Sequence, residues 1–187
     1  MRKVVLYALT SLDGAVDDPG RYFPGTRADV AGPPVFDEVL ARLEAEMVAT
    51  QDAVLLGRGM YDEWSGFWPT ADEPFAPFIN GVRKYVVTSS PLHGTWSNAE
   101  AVAGPVADVV HRLRALPGGD IGVHGSISLA RSLLALGLVD ELNLAVGRVI
   151  DPVGRRLFAD VADLQVLELV RAVPTPAGSL WLTYRRT

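Results

Sequence analysis

Apolar positions along the chain follow two periods, and the switches between them mark an alternation of strands and helices. Lys3–Leu9 (KVVLYAL) is β-branched and aromatic-rich, which predicts a buried strand, closed by the turn composition Thr10-Ser11-Leu12-Asp13-Gly14. Residues 17–34 carry Asp17, Asp18, Pro19, Gly20, Pro24, Gly25, Gly32, Pro33 and Pro34 and predict a long irregular loop. From Phe36 to Val48 apolar side chains recur at helical spacing (Phe36, Val39, Leu40, Leu43, Met47) with Glu and Arg between them, an amphipathic helix. A short strand at Ala53–Leu56 ends on Gly57, a helix opens at Arg58 and runs to about Trp64, and Ser65–Pro77 reads as loop.

Farther on, Arg83–Thr88 is a strand ending in Ser89-Ser90-Pro91, and Ala99–Val102 a short strand. Pro105 starts the helix Val106–Leu116, which stops at Pro117-Gly118-Gly119. Ile121–His124 is a strand turned by Gly125 into the helix Ser126–Leu136, with Gly137 as its stop. Val139–Val146, Leu164–Val173 and Ser179–Arg185 are further strands, the last two joined by the tight reversal Pro174-Thr175-Pro176-Ala177-Gly178. Alternation of this kind implies crossovers and a mainly parallel sheet, with an antiparallel hairpin at the C-terminal edge. Residues 1–187 therefore read as a single α/β domain with no dividing linker.

Composition narrows the function. With 49% hydrophobic residues the chain is globular, not disordered, and no apolar run approaches the ~20 residues of a membrane span. Asp13 interrupts the N-terminal apolar run too early for a signal peptide. A net charge of −5 with no basic block excludes a nucleic-acid face, while a small anionic ligand remains compatible. The absence of cysteine removes disulfides, thiolate zinc sites and cysteine nucleophiles and favours the cytoplasm. His93, His111 and His124 lack metal-ligand spacing, so no metal site is expected.

Chemistry is concentrated at strand ends. Leu56-Gly57-Arg58-Gly59-Met60-Tyr61, Thr88-Ser89-Ser90 and His124-Gly125-Ser126-Ile127-Ser128 each follow a strand. In an open α/β sheet ligands bind beyond the carboxyl ends of the strands, where glycine permits close approach and a following helix presents free N–H groups. Gly57–Gly59 and Gly125–Ser126 thus suggest two phosphate-seeking helix starts, with Arg58 as fixed positive charge. Asp62 stands where a dinucleotide fingerprint would need its third glycine, and no Walker A sequence occurs. His124 and Ser128 occupy the glycine positions of a nucleophile elbow, which excludes that motif at Ser126. Asp13 in its turn, and Asp37 and Glu38 at a helix start, are carboxylates with good structural reasons to be there.

These segments, with Ser11-Leu12-Asp13-Gly14 before them and Gly137-Leu138-Val139-Asp140-Glu141-Leu142 after them, resemble the dihydrofolate reductase-like superfamily in order and spacing. The branch is that of the reductase domain of the bifunctional riboflavin-biosynthesis deaminase–reductase and its small stand-alone relatives, and the likeness runs from about Lys3 to Tyr184. It implies a sheet of about eight strands with helices on both faces, NADPH across the strand ends, and a homodimer. By position it assigns Gly57, Arg58, Gly59 and Met60 to the adenosine-side phosphates, with Arg58 on the 2′-phosphate. Thr88, Ser89 and Ser90 then match the adenosine pocket, Gly125, Ser126 and Ile127 the pyrophosphate, and Ala8 and Leu9 the nicotinamide carboxamide. Gly14 belongs to the loop that closes over the reacting face, and Asp13 is the candidate catalytic carboxyl. The implied activity is NADPH-dependent reduction of a pterin- or pyrimidine-like molecule, similar to 5-amino-6-(5-phosphoribosylamino)uracil reductase or dihydrofolate reductase. The alternative is a nucleotide-binding protein that keeps the fold without turnover.

Overall fold

Strand β1 (Val4–Thr10) shows in one element how the chain divides its apolar residues. In the computed structural model, which describes residues 1–23 and 36–187, Val4 and Leu6 enter one core while Val5 and Tyr7 enter another on the opposite face, as the two-residue period of a strand requires. The chain continues through α1 (Pro19–Tyr22), α2 (Glu38–Val48), β2 (Gln51–Gly57), α3 (Arg58–Phe67), α4 (Ala76–Gly81), β3 (Arg83–Val87) and β4 (Ala99–Val102). It closes with α5 (Val106–Ala115), β5 (Asp120–His124), α6 (Ile127–Ala135), β6 (Glu141–Val146), β7 (Leu167–Pro174) and β8 (Leu180–Arg186).

The strands form one eight-stranded sheet in the order β4-β3-β2-β5-β1-β6-β8-β7. From β4 to β6 every neighbouring pair is parallel, whereas β8 runs antiparallel to both β6 and β7. Val109, Val110 and Leu113 of α5 and Leu129, Leu133 and Leu134 of α6 cover the face carrying Leu6, Leu55 and Val123. Leu40, Leu43 and Met47 of α2 cover the other face at Val5 and Tyr7, and Tyr61 of α3 with Ile79 of α4 cover it at Val54 and Leu56. The alternation implies the mainly parallel sheet with its antiparallel edge, and the resemblance implies its dihydrofolate reductase-like arrangement.

Differences from the sequence reading have local causes. The helix expected from Phe36 begins at Glu38, because Asp37 caps it by accepting hydrogen bonds from the N–H groups of Val39 and Leu40, both at 3.1 Å. The loop expected over 17–34 contains α1, capped by Asp18, and its residues 24–34 lie outside the described residues. The loop expected over Ser65–Pro77 is corrected: α3 continues to Phe67, a 3₁₀ turn spans Trp68–Thr70, and α4 begins at Ala76. Pro69 and Pro77 sit in the first turns of these elements, where a missing N–H costs nothing, so they mark helix starts. Lys84, fully buried on β3, secures the end of α4 by donating from Nζ to the carbonyls of Ile79 and Val82, both at 2.8 Å.

Candidate ligand site

Parallel pairing sends the carboxyl ends of β3, β2, β5 and β1 to the same edge of the sheet. Gly57 pairs with Val87, Leu55 with Val123, and Tyr7 with His124. The residues that follow these strands, Thr88–Ser90, Gly57–Met60, Gly125–Ile127 and Ala8–Leu9, are therefore brought to one edge. No side chain caps the N-terminus of α3 or of α6, and neither first turn carries an acidic residue. Two helix starts thus present unsatisfied N–H groups and the positive ends of their dipoles. They are tied together: the Gly57 N–H donates to Ser126 Oγ at 2.8 Å. Gly125 is needed for this approach, since its φ is +67° and a Cβ there would fall 2.6 Å from the Trp64 ring and 3.0 Å from Met60 Sδ.

Beside the junction lies a cavity of about 180 Å³. Tyr7, Ala8 and Leu9 of β1 and His124–Ile127 of the β5–α6 turn form its base, and Trp64, Trp68 and Phe75 form an aromatic wall. Val16, Pro19 and Leu157 contribute apolar sides, and Glu44 of α2 brings in a carboxyl. Three buried polar atoms on these lining residues have no hydrogen-bond partner: Tyr7 Oη, Trp68 Nε1 and His124 Nδ1. Unpaired buried polar atoms are uncommon in folded proteins, and three of the five among the described residues belong to residues that line this one space. His124 Nε2 lies 2.8 Å from Gln51 Oε1, an arrangement that leaves Nδ1 as an acceptor when Nε2 carries the hydrogen. Burial pushes the His124 pKa down to about 3, so the ring is neutral. Burial pushes Glu44 up to about 7, against the opposing pull of the Tyr7 hydroxyl. The Tyr7 hydroxyl is driven well above its ordinary range, by burial first and then by the Glu44 carboxyl that faces it.

Other candidate residues lie outside the lining of this cavity, several with partners already in place. Arg58 donates from Nε to both Asp62 carboxylate oxygens at 2.8 Å and from Nη1 to the Pro91 carbonyl at 2.9 Å, so it bridges the α3 start to the segment after β3. In that segment Thr88 Oγ1 accepts from the Ser90 N–H at 3.1 Å, while Ser89 and Ser90 are exposed. Met60 packs at the Gly125 turn, and Gly59 has open space where a side chain would go. Asp13 is not among the residues lining the cavity. Its carboxylate accepts from Ser11 Oγ at 2.7 Å and the Asp151 N–H at 3.0 Å, and pairs with Arg156 Nη2 at 2.9 Å. These contacts, Ser11 first, hold its carboxyl below the usual range, so Asp13 ties loops together, with Gly14 (φ +85°) making the turn.

Residues 2–178 match the family described as the RibD C-terminal domain. The chain belongs to that family. An uncharacterized protein of Bacillus subtilis, YyaP, is 28% identical over 138 residues, covering 71% of this chain and 73% of its own. Among solved structures, a putative riboflavin biosynthesis protein from Shewanella sp. PV-4 superposes with a TM-score of 0.74 at 17% identity, over 99% of each chain. A dihydrofolate reductase from Enterococcus faecalis, solved with NADP(H), superposes with a TM-score of 0.62 at 14% identity over 99% of this chain and 96% of that one. At such identities the structural likenesses speak for fold. Within this RibD C-terminal domain, the residues that sequence reasoning left aside are Tyr7 and Glu44. Glu44 had a signal: it lies four residues after Leu40 and three before Met47, on the inward stripe of α2 where an apolar residue is expected.

Proposed function

We propose that this RibD C-terminal domain is an NADPH-dependent reductase of a pterin- or pyrimidine-like small molecule. The observation that carries the reading is the junction of two uncapped helix starts, α3 and α6, through Gly57 and Ser126, opening onto an apolar cavity with unpartnered Tyr7, Trp68 and His124 atoms. Helix N-termini of this kind suit the phosphates of a dinucleotide. The cavity is similar in volume to the apolar hole of about 150 Å³ that takes a benzene ring, which suits one flat ring of cofactor or substrate.

In this reading Gly57–Met60 and Gly125–Ile127 hold phosphates by backbone N–H groups, and Arg58, anchored by Asp62, meets the 2′-phosphate. Thr88, Ser89 and Ser90 flank the adenosine, and the β1 backbone at Ala8 and Leu9 meets the carboxamide. The bound cofactor supplies the reducing hydride. Trp64, Trp68 and Phe75 exclude water from the ring, and Asp13 with Gly14 shapes the adjoining loop. The apolar side chains of Leu164, Val166, Leu169 and Val170, exposed at and before the β7 edge, favour the homodimer of the same reading.

Tryptophan fluorescence during an NADPH titration tests the proposal, because Trp64 and Trp68 line the cavity. Saturable quenching is expected, followed by loss of reduced-nicotinamide absorbance with 7,8-dihydropterin or an aminopyrimidine as trial acceptor. Binding without turnover of any such acceptor supports the inactive nucleotide-binding alternative. No binding contradicts both.

A further inference from the structure

We infer that Glu44 supplies the proton consumed in the reduction, and that the carboxylate it leaves in the apolar cavity then pairs with the positive ring of the oxidised cofactor. This rests on the reductase reading above. Among the described residues lining the cavity, Glu44 is the carboxyl. It sits half-buried on the inward stripe of α2, between the buried Leu40, Leu43 and Met47, where a charged side chain has no packing role. Tyr7 faces it from β1 with a buried hydroxyl whose polar neighbour is the Glu44 carboxyl. A carboxyl that reaches the cavity while keeping contact with water, beside a buried hydroxyl that also lines it, has the form of a proton entry path.

Among the described residues, the remaining ionisable groups around it are accounted for. His124 lines the cavity from β5 and is neutral. Asp17 and Asp18, beside the lining residues Val16 and Pro19, are engaged by Tyr22 and Arg21. On α2 itself Glu46 is paired with Arg42 and with Arg171 of β7. Glu44 is therefore the group in this lining that exchanges a proton near neutrality, where burial has placed it.

The step balances as follows. Reduction of a C=N or C=O bond forms a C–H bond with the hydride and an N–H or O–H bond with a proton. The Tyr7 hydroxyl passes its hydrogen to the substrate heteroatom and takes one from the Glu44 carboxyl. With a reduced cofactor ring seated there, Glu44 would be a neutral acid beside a neutral ring before the reaction and a carboxylate beside a cationic ring after it. An isolated charge of either sign would be costly in an apolar space, so the two stabilise each other. Glu44 recovers its proton from solvent as the oxidised cofactor leaves.

The test is the ratio of dissociation constants, NADP⁺ over NADPH, measured by tryptophan fluorescence across pH. The 2′-phosphate and adenine are common to both ligands and cancel in the ratio. With rising pH Glu44 ionises, favouring the cationic ring, so the ratio is expected to fall about tenfold or more between about pH 6 and about pH 8. Glu44→Gln is expected to make it flat. Tyr7→Phe removes the group that lowers the Glu44 pKa, so the midpoint is expected to move to higher pH. A flat ratio in the unaltered protein, or a slope that survives Glu44→Gln, overturns the inference while leaving dinucleotide binding intact. Failure of both nucleotides to bind overturns the reductase reading and this inference with it.

Discussion

His124 and Glu44 enter the same cavity from β5 and α2, and burial moves them in opposite senses. The unfolded chain binds a proton on His124 between about pH 3 and 6.5 that the folded chain refuses, so this residue makes stability rise with pH there. Folded Glu44 keeps a proton between about pH 4.5 and 7 that the unfolded chain releases, so it makes stability fall with pH. From about pH 4.5 to 6.5 the two slopes oppose. Urea denaturation at several pH values is expected to expose each: Glu44→Gln leaves stability rising with pH, and His124→Gln leaves it falling, by up to about 1 kcal/mol per pH unit. Identical pH profiles for the two variants would contradict the burial of both groups. Arg58→Ala is expected to weaken NADPH about tenfold while leaving NADH nearly unchanged, read by fluorescence titration; equal losses remove Arg58 from the 2′-phosphate. At this scale the glycines and Arg58 were legible because they punctuate strand ends. Glu44 was not, because a Glu in an amphipathic helix reads as its solvated face until its spacing from Leu40 and Met47 is checked.

Elements meet at the site through two close approaches that depend on single residues. At Gly125 a side chain would collide with Trp64 and Met60 and adopt an unfavourable φ of +67°. Gly125→Ala is accordingly expected to cost about 1–3 kcal/mol and to loosen NADPH binding, since α3 must move away from α6. The cost is checked by denaturation and the binding by fluorescence. Lys84 closes the end of α4 by donating to the carbonyls of Ile79 and Val82, and its ammonium lies 4.5 Å from the Trp96 ring. Lys84→Met is expected to destabilise the protein by about 2–4 kcal/mol in the same denaturation experiment, because the buried hydrogen bond to the Ile79 carbonyl and the one to Val82 are lost. The strand–helix alternation was readable from periodicity, but the Trp64–Phe78 region was not. Pro69 and Pro77, which suggest a loop, occupy first helical turns, and its aromatics pack on one another and on His124, a tertiary clustering that no local period encodes.

Across the whole molecule, a parallel sheet determines where chemistry can occur, since all its strand ends open at one edge. Sequence order places Ala8, Gly57, Thr88 and Gly125 far apart, and only the strand order β3-β2-β5-β1 makes them neighbours. That convergence could be expected from the resemblance but not from spacing. The cavity's polar atoms depend in turn on which strand faces point inward, which places Tyr7 and His124 in contact at a ring separation of 6.0 Å. Mapping backbone amide NMR shifts during an NADPH titration tests the central claim most directly. The largest changes are expected at residues 8–9, 57–60, 88–90 and 125–127 together, with saturation at one common affinity. Changes confined to another surface, or none at these glycine-marked strand ends, would contradict it.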